Sequence, residues 1–295
     1  MTELSKFKTN AWKERAAADT YHDATAAADI GFQIVRRDLY LKYFQEFSQK
    51  NQKILDVGCG SGLMAIALHD LGYRVTGCDS SEGMLGRFAV EKGDRDIDLR
   101  LGSGYNIPAE DNEFDAVISR MFIQHFADWT EILREKARVT KIGGIIYYDF
   151  GNSEHIRHAL RIEDPELGFP YSTDPTNIPS HYAVCDEETI TRVAGELNLE
   201  VVSIRSHGLL VANAQLWQEI GAVESRKFLA EASVHLKNPA VADFMMFLEE
   251  KFVSRMPKSI SYGNITVLRK LGDPIATTKR GKLLRVWASI NKALS

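Results

Sequence analysis

The nonapeptide Ile54-Leu55-Asp56-Val57-Gly58-Cys59-Gly60-Ser61-Gly62 constrains this chain more than any other stretch. An apolar run ends in glycines at alternate positions, and the helix-forming stretch 63–71 follows at once. That order spells strand, tight turn and helix. Glycines at such a turn let the backbone approach a ligand closely and adopt conformations closed to other residues. A second apolar run, 73–78, leads into Asp79, seventeen residues past Gly62. An acid at the carboxyl end of a strand, this far along, suits a two-point grip on ribose hydroxyls. A dinucleotide fingerprint would need its third glycine at position 63, which is Leu63; here the glycines at 58, 60 and 62 give G-x-G-x-G.

The texture around the loop sets the fold class. Strands are expected at 53–58, 73–78, 97–101, 114–119 and 144–150, separated by helices at 63–71, 82–92 and 129–139. This alternation means an α/β fold, a parallel sheet with helices on both faces. Residues 1–50 read as a helical cap, with Ile34, Leu41 and Phe44 on one face. Four prolines between 164 and 180 make regular structure improbable there, as in a functional loop or a disordered segment. A helix at 186–197, a strand at 200–205, helices at 213–232 and 238–252, and a strand at 262–271 complete the reading. The core is therefore 51–212 with 262–272, the segment 213–261 is a helical insertion before the last strand, and 273–295 is a basic tail.

Composition narrows the partners. The 295 residues carry a net charge of -4, so no overall basic field advertises nucleic acid. No apolar run reaches the ~18 residues that span a bilayer, and residues 1–21 carry charges throughout, so a cytoplasmic protein without stable membrane insertion is expected. Cys59, Cys78 and Cys185 are an odd count without paired spacing, against a disulfide framework or a structural zinc site. His155 and His158 have no carboxylate or cysteine cluster beside them, so no metal is expected.

Three further segments join the glycine loop. Gly102-Ser103-Gly104-Tyr105-Asn106-Ile107-Pro108 is followed by Asp111-Asn112-Glu113-Phe114-Asp115. Ser119 to Trp129 reads S-R-M-F-I-Q-H-F-A-D-W, and Lys141-Ile142-Gly143-Gly144 precedes the fifth strand. Together, across roughly residues 52–150, they resemble class I (Rossmann-like) S-adenosylmethionine (SAM)-dependent methyltransferases of the small-molecule type. The resemblance implies a seven-stranded Rossmann-like sheet with SAM as cofactor. Asp56 and the backbone around Gly58 would hold the methionine amine, with the Ser119 carbonyl facing it. The Gly60–Gly62 turn would pass under the sugar, Asp79 would bind the ribose hydroxyls, Met84 would pack on adenine, and Cys59 and Ser80 are among the expected cofactor contacts. Ser103 and Gly104 would contact the adenine amino group, although the family often has an acid at the position of Ser103. Arg120 and Met121 complete the expected cofactor contacts, and Tyr21 of the cap is nominated for the SAM carboxylate.

Methyl transfer from a sulfonium is an in-line displacement that needs alignment, dryness and, for poor nucleophiles, proton removal. His125 and Asp149 are the candidates for catalysis. Each has a structural alternative: a satisfied histidine for the first, a helix-capping or loop-anchoring acid for the second. Phe122, Tyr148, Phe150, Phe169 and Tyr171 are expected to line a closed, mostly apolar acceptor cavity. The enclosing segments fit a small-molecule substrate of specialised metabolism rather than nucleic acid or protein, in a monomer or homodimer. The other reading is a SAM-consuming cyclase or lyase on the same fold, which would release methylthioadenosine; cofactor motifs do not report which carbon is attacked. A buried, aromatic, acceptor-free pocket would favour it.

Overall fold

A computed structural model describes residues 34–126, 128–155, 169–170, 181–182, 184–208, 227, 231–257 and 261–273. The strands β1 (Lys53–Val57), β2 (Arg74–Asp79), β3 (Ile97–Leu101), β4 (Phe114–Ser119) and β5 (Thr140–Asn152) run parallel. Val184–Cys185 (β6) pairs with the end of β5. Leu199–His207 (β7) and Gly263–Lys270 (β8) close the sheet, β8 lying antiparallel between β5 and β7. The order is β3-β2-β1-β4-β5-β8-β7. Strand order reverses between β1 and β4, which opens a crevice at their carboxyl ends. A separate two-stranded ribbon pairs Phe169–Pro170 with His181–Tyr182.

Both faces are covered, so β1 is buried over four consecutive residues rather than at alternate ones. On one face lie α1 (34–45) and α2 (Leu63–Asp70). There Tyr40 and Phe44 pack edge-on against Tyr147, at centroid distances of 4.5 and 5.3 Å. The other face carries α4 (Trp129–Val139) and α5 (Glu187–Glu196), packed on Ile146, Tyr148 and Phe150. Between α2 and α4 in sequence, α3 (Glu82–Glu91) starts at Ser81, whose hydroxyl accepts from the Met84 N–H. The β7–β8 connection includes α6 (Pro239–Lys251), capped by Asn238 with proline at its start, as the sequence pattern predicts. An ion pair between Lys42 and Glu250 ties α6 to α1.

Two strands are longer than expected. β5 starts at Thr140 and carries within it the left-handed Gly143, at φ +81°, where its pairing with β4 shifts register; β7 runs on to His207. Of the expected helix 213–232, all but 227, 231 and 232 lie outside the described residues, as do residues 1–33 and 274–295.

Two phenylalanine rings explain several of the glycines. Phe88, fully buried on α3, sits between Gly62 and Gly77; a Cβ would lie 2.2 and 2.6 Å from its ring. Gly62 has φ +93° and would be strained with any side chain, whereas no such backbone strain attaches to Gly77. Gly77→Ala is therefore a clean overpacking test. It should destabilise the protein by about 1–3 kcal/mol, read as a lower denaturant midpoint at unchanged slope. Phe88→Leu should restore part of the loss.

Candidate functional site

The glycine loop is built around Asp79. One oxygen of this carboxylate accepts from the Gly60 N–H at 2.9 Å and the other from the Ser81 N–H at 2.9 Å. The Gly58 N–H bonds the Cys78 carbonyl at 2.8 Å, which locks the turn onto β2. Each oxygen of Asp79 keeps a lone pair for a ligand hydroxyl. Burial raises its pKa while the backbone amides oppose the rise. Gly60, at φ +54°, has open space where a Cβ would be. The cleft beside it is lined by Gly58, Asp79, Ser80, Ser103, Gly104 and the aromatic trio Tyr105, Phe122 and Phe126. Tyr105 and Phe126 meet edge-on at 5.7 Å.

Beneath the loop lies a buried ionic cluster. Lys136 of α4 is fully buried; its ammonium donates to the Ser119 hydroxyl at 2.6 Å and lies 5.4 Å from the Tyr148 ring centre. Burial pushes Lys136 down to about 7, and the nearby Asp56 and Asp149 carboxylates oppose this. Asp56, at the end of β1, is pushed up to about 7 by burial, against the pull of Lys136 and Arg120. A buried ammonium needs an anion close by, and here the β1 acid supplies it.

After β4 the chain turns sharply at Met121, which has φ +52°. A left-handed conformation is costly for a residue with a side chain and persists where the surroundings impose it. Asp149 of β5 imposes it, its carboxylate accepting from the Met121 N–H at 2.7 Å. The Arg36 guanidinium also donates to the Met121 sulfur at 3.1 Å. Beyond this turn is an enclosed chamber whose charged or ionisable walls are Arg36, Tyr40, Arg120, Asp149, His207 and Glu249. Its free space is about 10 Å³, room for roughly one water.

The structure brings together Asp56, Gly58, Gly60, Asp79, Ser80, Ser103, Gly104, Ser119, Arg120, Met121 and Asp149 at the carboxyl ends of β1 to β5. Met84 stands half-buried on the first turn of α3, and Cys59 is buried in the core. The Ser119 carbonyl, expected to face the cofactor amine, already accepts from the Tyr40 hydroxyl at 2.6 Å. Asp149 shows the loop-anchoring bond rather than a free carboxylate. His125 stands on a 3-10 turn (Ile123–His125).

The expected lining of the acceptor cavity is corrected at Tyr148 and Phe150. Tyr148 and Phe150 point to the opposite sheet face, buried with Trp129, because even-numbered β5 residues face α4 and α5. Phe122 lies on the glycine loop, where a Cβ at Gly58 would be 2.2 Å from its ring and one at Gly104 2.9 Å. It lines the cleft rather than the chamber. Tyr21 and Tyr171 lie outside the described residues, and of Phe169 only the ribbon pairing is described. Lys136 and His207 were not anticipated. Lys136 had a signal, since it falls inside the α4 stripe of Trp129, Ile132, Leu133 and Ala137. His207 had none, because its place depends on strand register.

These residues fit SAM. Gly60 offers the uncrowded backbone, Asp79 the acid for ribose, the aromatic trio the walls for a base, and Asp56 the buried carboxylate for an ammonium. A family model described as a methyltransferase domain matches residues 55–148. The chain is 26% identical over 207 residues to a ubiquinone biosynthesis O-methyltransferase of Dinoroseobacter shibae, covering 68% of this chain and 83% of that one. To a demethylmenaquinone methyltransferase of Corynebacterium kroppenstedtii it is 33% identical over 159 residues, 48% of this chain and 65% of that one, just under two thirds of the relative's length. A SAM-dependent methyltransferase structure from Methanosarcina mazei superposes with a TM-score of 0.53 at 16% identity, covering 78% of this chain and 97% of that one. At that identity the likeness speaks for the fold alone. Loop, acid and sequence kinship agree: residues 55–148 form a methyltransferase domain, on the Rossmann-like fold of the SAM-dependent enzymes.

Proposed function

We propose that the protein transfers the methyl group of SAM to a small-molecule acceptor, with quinone-precursor aromatics the first class to test. The observation that carries this reading is the enclosed, charged chamber between α1, the Met121 turn, β5, β7 and α6. Its tight walls suit the reactive end of a small molecule rather than a duplex or a folded protein. Its charge also supports transfer to an outside nucleophile over the cyclase or lyase alternative, for which an aromatic, acceptor-free pocket is the expected surrounding. The quinone-precursor class rests on the names of the relatives alone. A cytoplasmic location belongs to the same proposal.

Incubation with SAM and a panel of hydroxylated benzoates, catechols and quinols, with mass spectrometry of both products, tests it. S-adenosylhomocysteine together with a methylated aromatic is expected. Methylthioadenosine formed from SAM alone would contradict the reading.

Two predictions concern the cofactor. Asp79→Ala should weaken S-adenosylhomocysteine binding by about 1.5–3 kcal/mol for each charge-assisted bond lost. Unchanged affinity in calorimetric titration would contradict the ribose assignment. The second follows from Asp56, which is poised near 7. Only its carboxylate form attracts an ammonium, so binding releases a proton and affinity should rise with pH. Asp56 alone contributes at most about tenfold per unit below 7, levelling off above it. Lys136 loses a competing charge over the same range, which acts in the same direction. Asp56→Asn should remove most of the slope.

A further inference from the structure

α6 is apolar on two sides. Its inner side, with Ala242, Met245 and Met246, packs with Val35 of α1 and Leu236, and its Glu249 reaches the chamber wall. Its outer side carries Val241, Phe244 and Phe247 at every third position, and Phe252 follows at the end of the helix. The three phenylalanines are 60%, 54% and 53% exposed, and the rings of Phe244 and Phe247 stack at 6.5 Å into one apolar plate. Val234, just before the Asn238 cap, is exposed as well. Exposed apolar residues scattered singly need no explanation, but a contiguous plate of them marks a surface of interaction. A helix apolar on its second side has met only one of its two surroundings.

The charges around the plate say what the other one is. Lys237 stands before the stripe, and Lys251 and Arg255 stand after it, all exposed. From 234 to 257, Asp243 is the one exposed acid; Glu249 is buried and accepts from the Gly208 N–H, and Glu250 is held by Lys42 and Lys251. Apolar side chains rimmed by bases on long alkyl stems have the composition of a segment lying at a lipid interface, where the stems carry the charge up to anionic headgroups. The end of the chain has the same composition. Residues 274–295 hold five bases and no acid, interleaved with Leu283, Trp287 and Leu294, in a chain whose net charge is -4. One anionic surface can receive both segments, whereas a protein partner would need an acidic rim built for each.

We propose that the outer side of α6 docks on an anionic phospholipid surface. Phe244, Phe247 and Phe252 enter the boundary between headgroups and acyl chains, and Lys237, Lys251 and Arg255 meet the phosphates. Nothing crosses the bilayer in this arrangement, since α6 has 13 residues and a span needs about 20. The chamber lies on the inner side of the same helix, about 10 Å, one helix thickness, from that surface. An acceptor dissolved in lipid would be within its reach, although the docking itself does not rest on the methyltransferase reading.

The test is cosedimentation of the full chain with sucrose-loaded vesicles, of phosphatidylcholine alone or of equal parts phosphatidylcholine and phosphatidylglycerol. Binding is expected on the anionic vesicles, weaker on the neutral ones, and falling as salt rises. Phe244→Ser with Phe247→Ser should lower the partition coefficient by about tenfold or more. Phe244→Trp with Phe247→Trp should keep the binding and add indole fluorescence that brominated acyl chains quench, a signature of insertion that needs no loss of function. No binding of the wild type to either vesicle, binding unchanged in the serine pair, or added indole emission that bromine leaves untouched overturns the proposal. A wild-type dimer, formed without vesicles and split by the serine pair, would assign the plate to a second copy of the chain and overturn it too.

Discussion

The site depends on one buried ammonium, that of Lys136, at the carboxyl ends of β1 and β4. Lys136 has no exposed surface, and an ammonium in such a place is tolerated only when anions and hydrogen bonds answer it. Asp56 and the Ser119 hydroxyl do so, which draws α4, β1 and β4 to one point. The same carboxylate is the one that would meet the cofactor's ammonium. Under the proposed function the cofactor's ammonium and Lys136 would both draw on Asp56, whose pKa burial pushes up to about 7.

A second layer of control is mechanical. Met121 is held in a left-handed turn by Asp149, and that turn carries Arg120 into the chamber and Phe122 onto Gly58. Asp149 thus links the two halves of the site without having to exchange a proton. Gly58 and Gly62 are small because Phe122 and Phe88 pack on them, whereas Gly60 faces open space. One glycine motif serves core packing and ligand approach at once.

Much of the fold was legible in the sequence. Alternation of apolar runs with amphipathic stretches located β1 to β5 and the helices between them, and Asn238-Pro239 marked the start of α6. The cleft was legible because its parts are local: a loop, and an acid at the end of the next strand. The acceptor side was not. Which face Tyr148 and Asp149 take is a matter of pleat phase, and only the packing of Tyr147 against Tyr40 and Phe44 settles it. The place of His207 in the chamber comes from cross-strand register with Gly263, which in turn pairs with Gly151, more than a hundred positions away in the chain. No local pattern encodes that contact. A closed, mostly apolar cavity was expected from Phe122, Tyr148, Phe150, Phe169 and Tyr171, yet those of their side chains that are described belong to the core or the cleft.

The most direct measurement is a crystal structure of the protein with S-adenosylhomocysteine. The ribose is predicted on Asp79, the backbone of Gly60 under the sugar, the amine beside Asp56, and the sulfur facing the chamber of Arg120, Asp149 and His207. A ligand seated elsewhere, or one whose sulfur opens onto a broad surface trough away from that chamber, would contradict it.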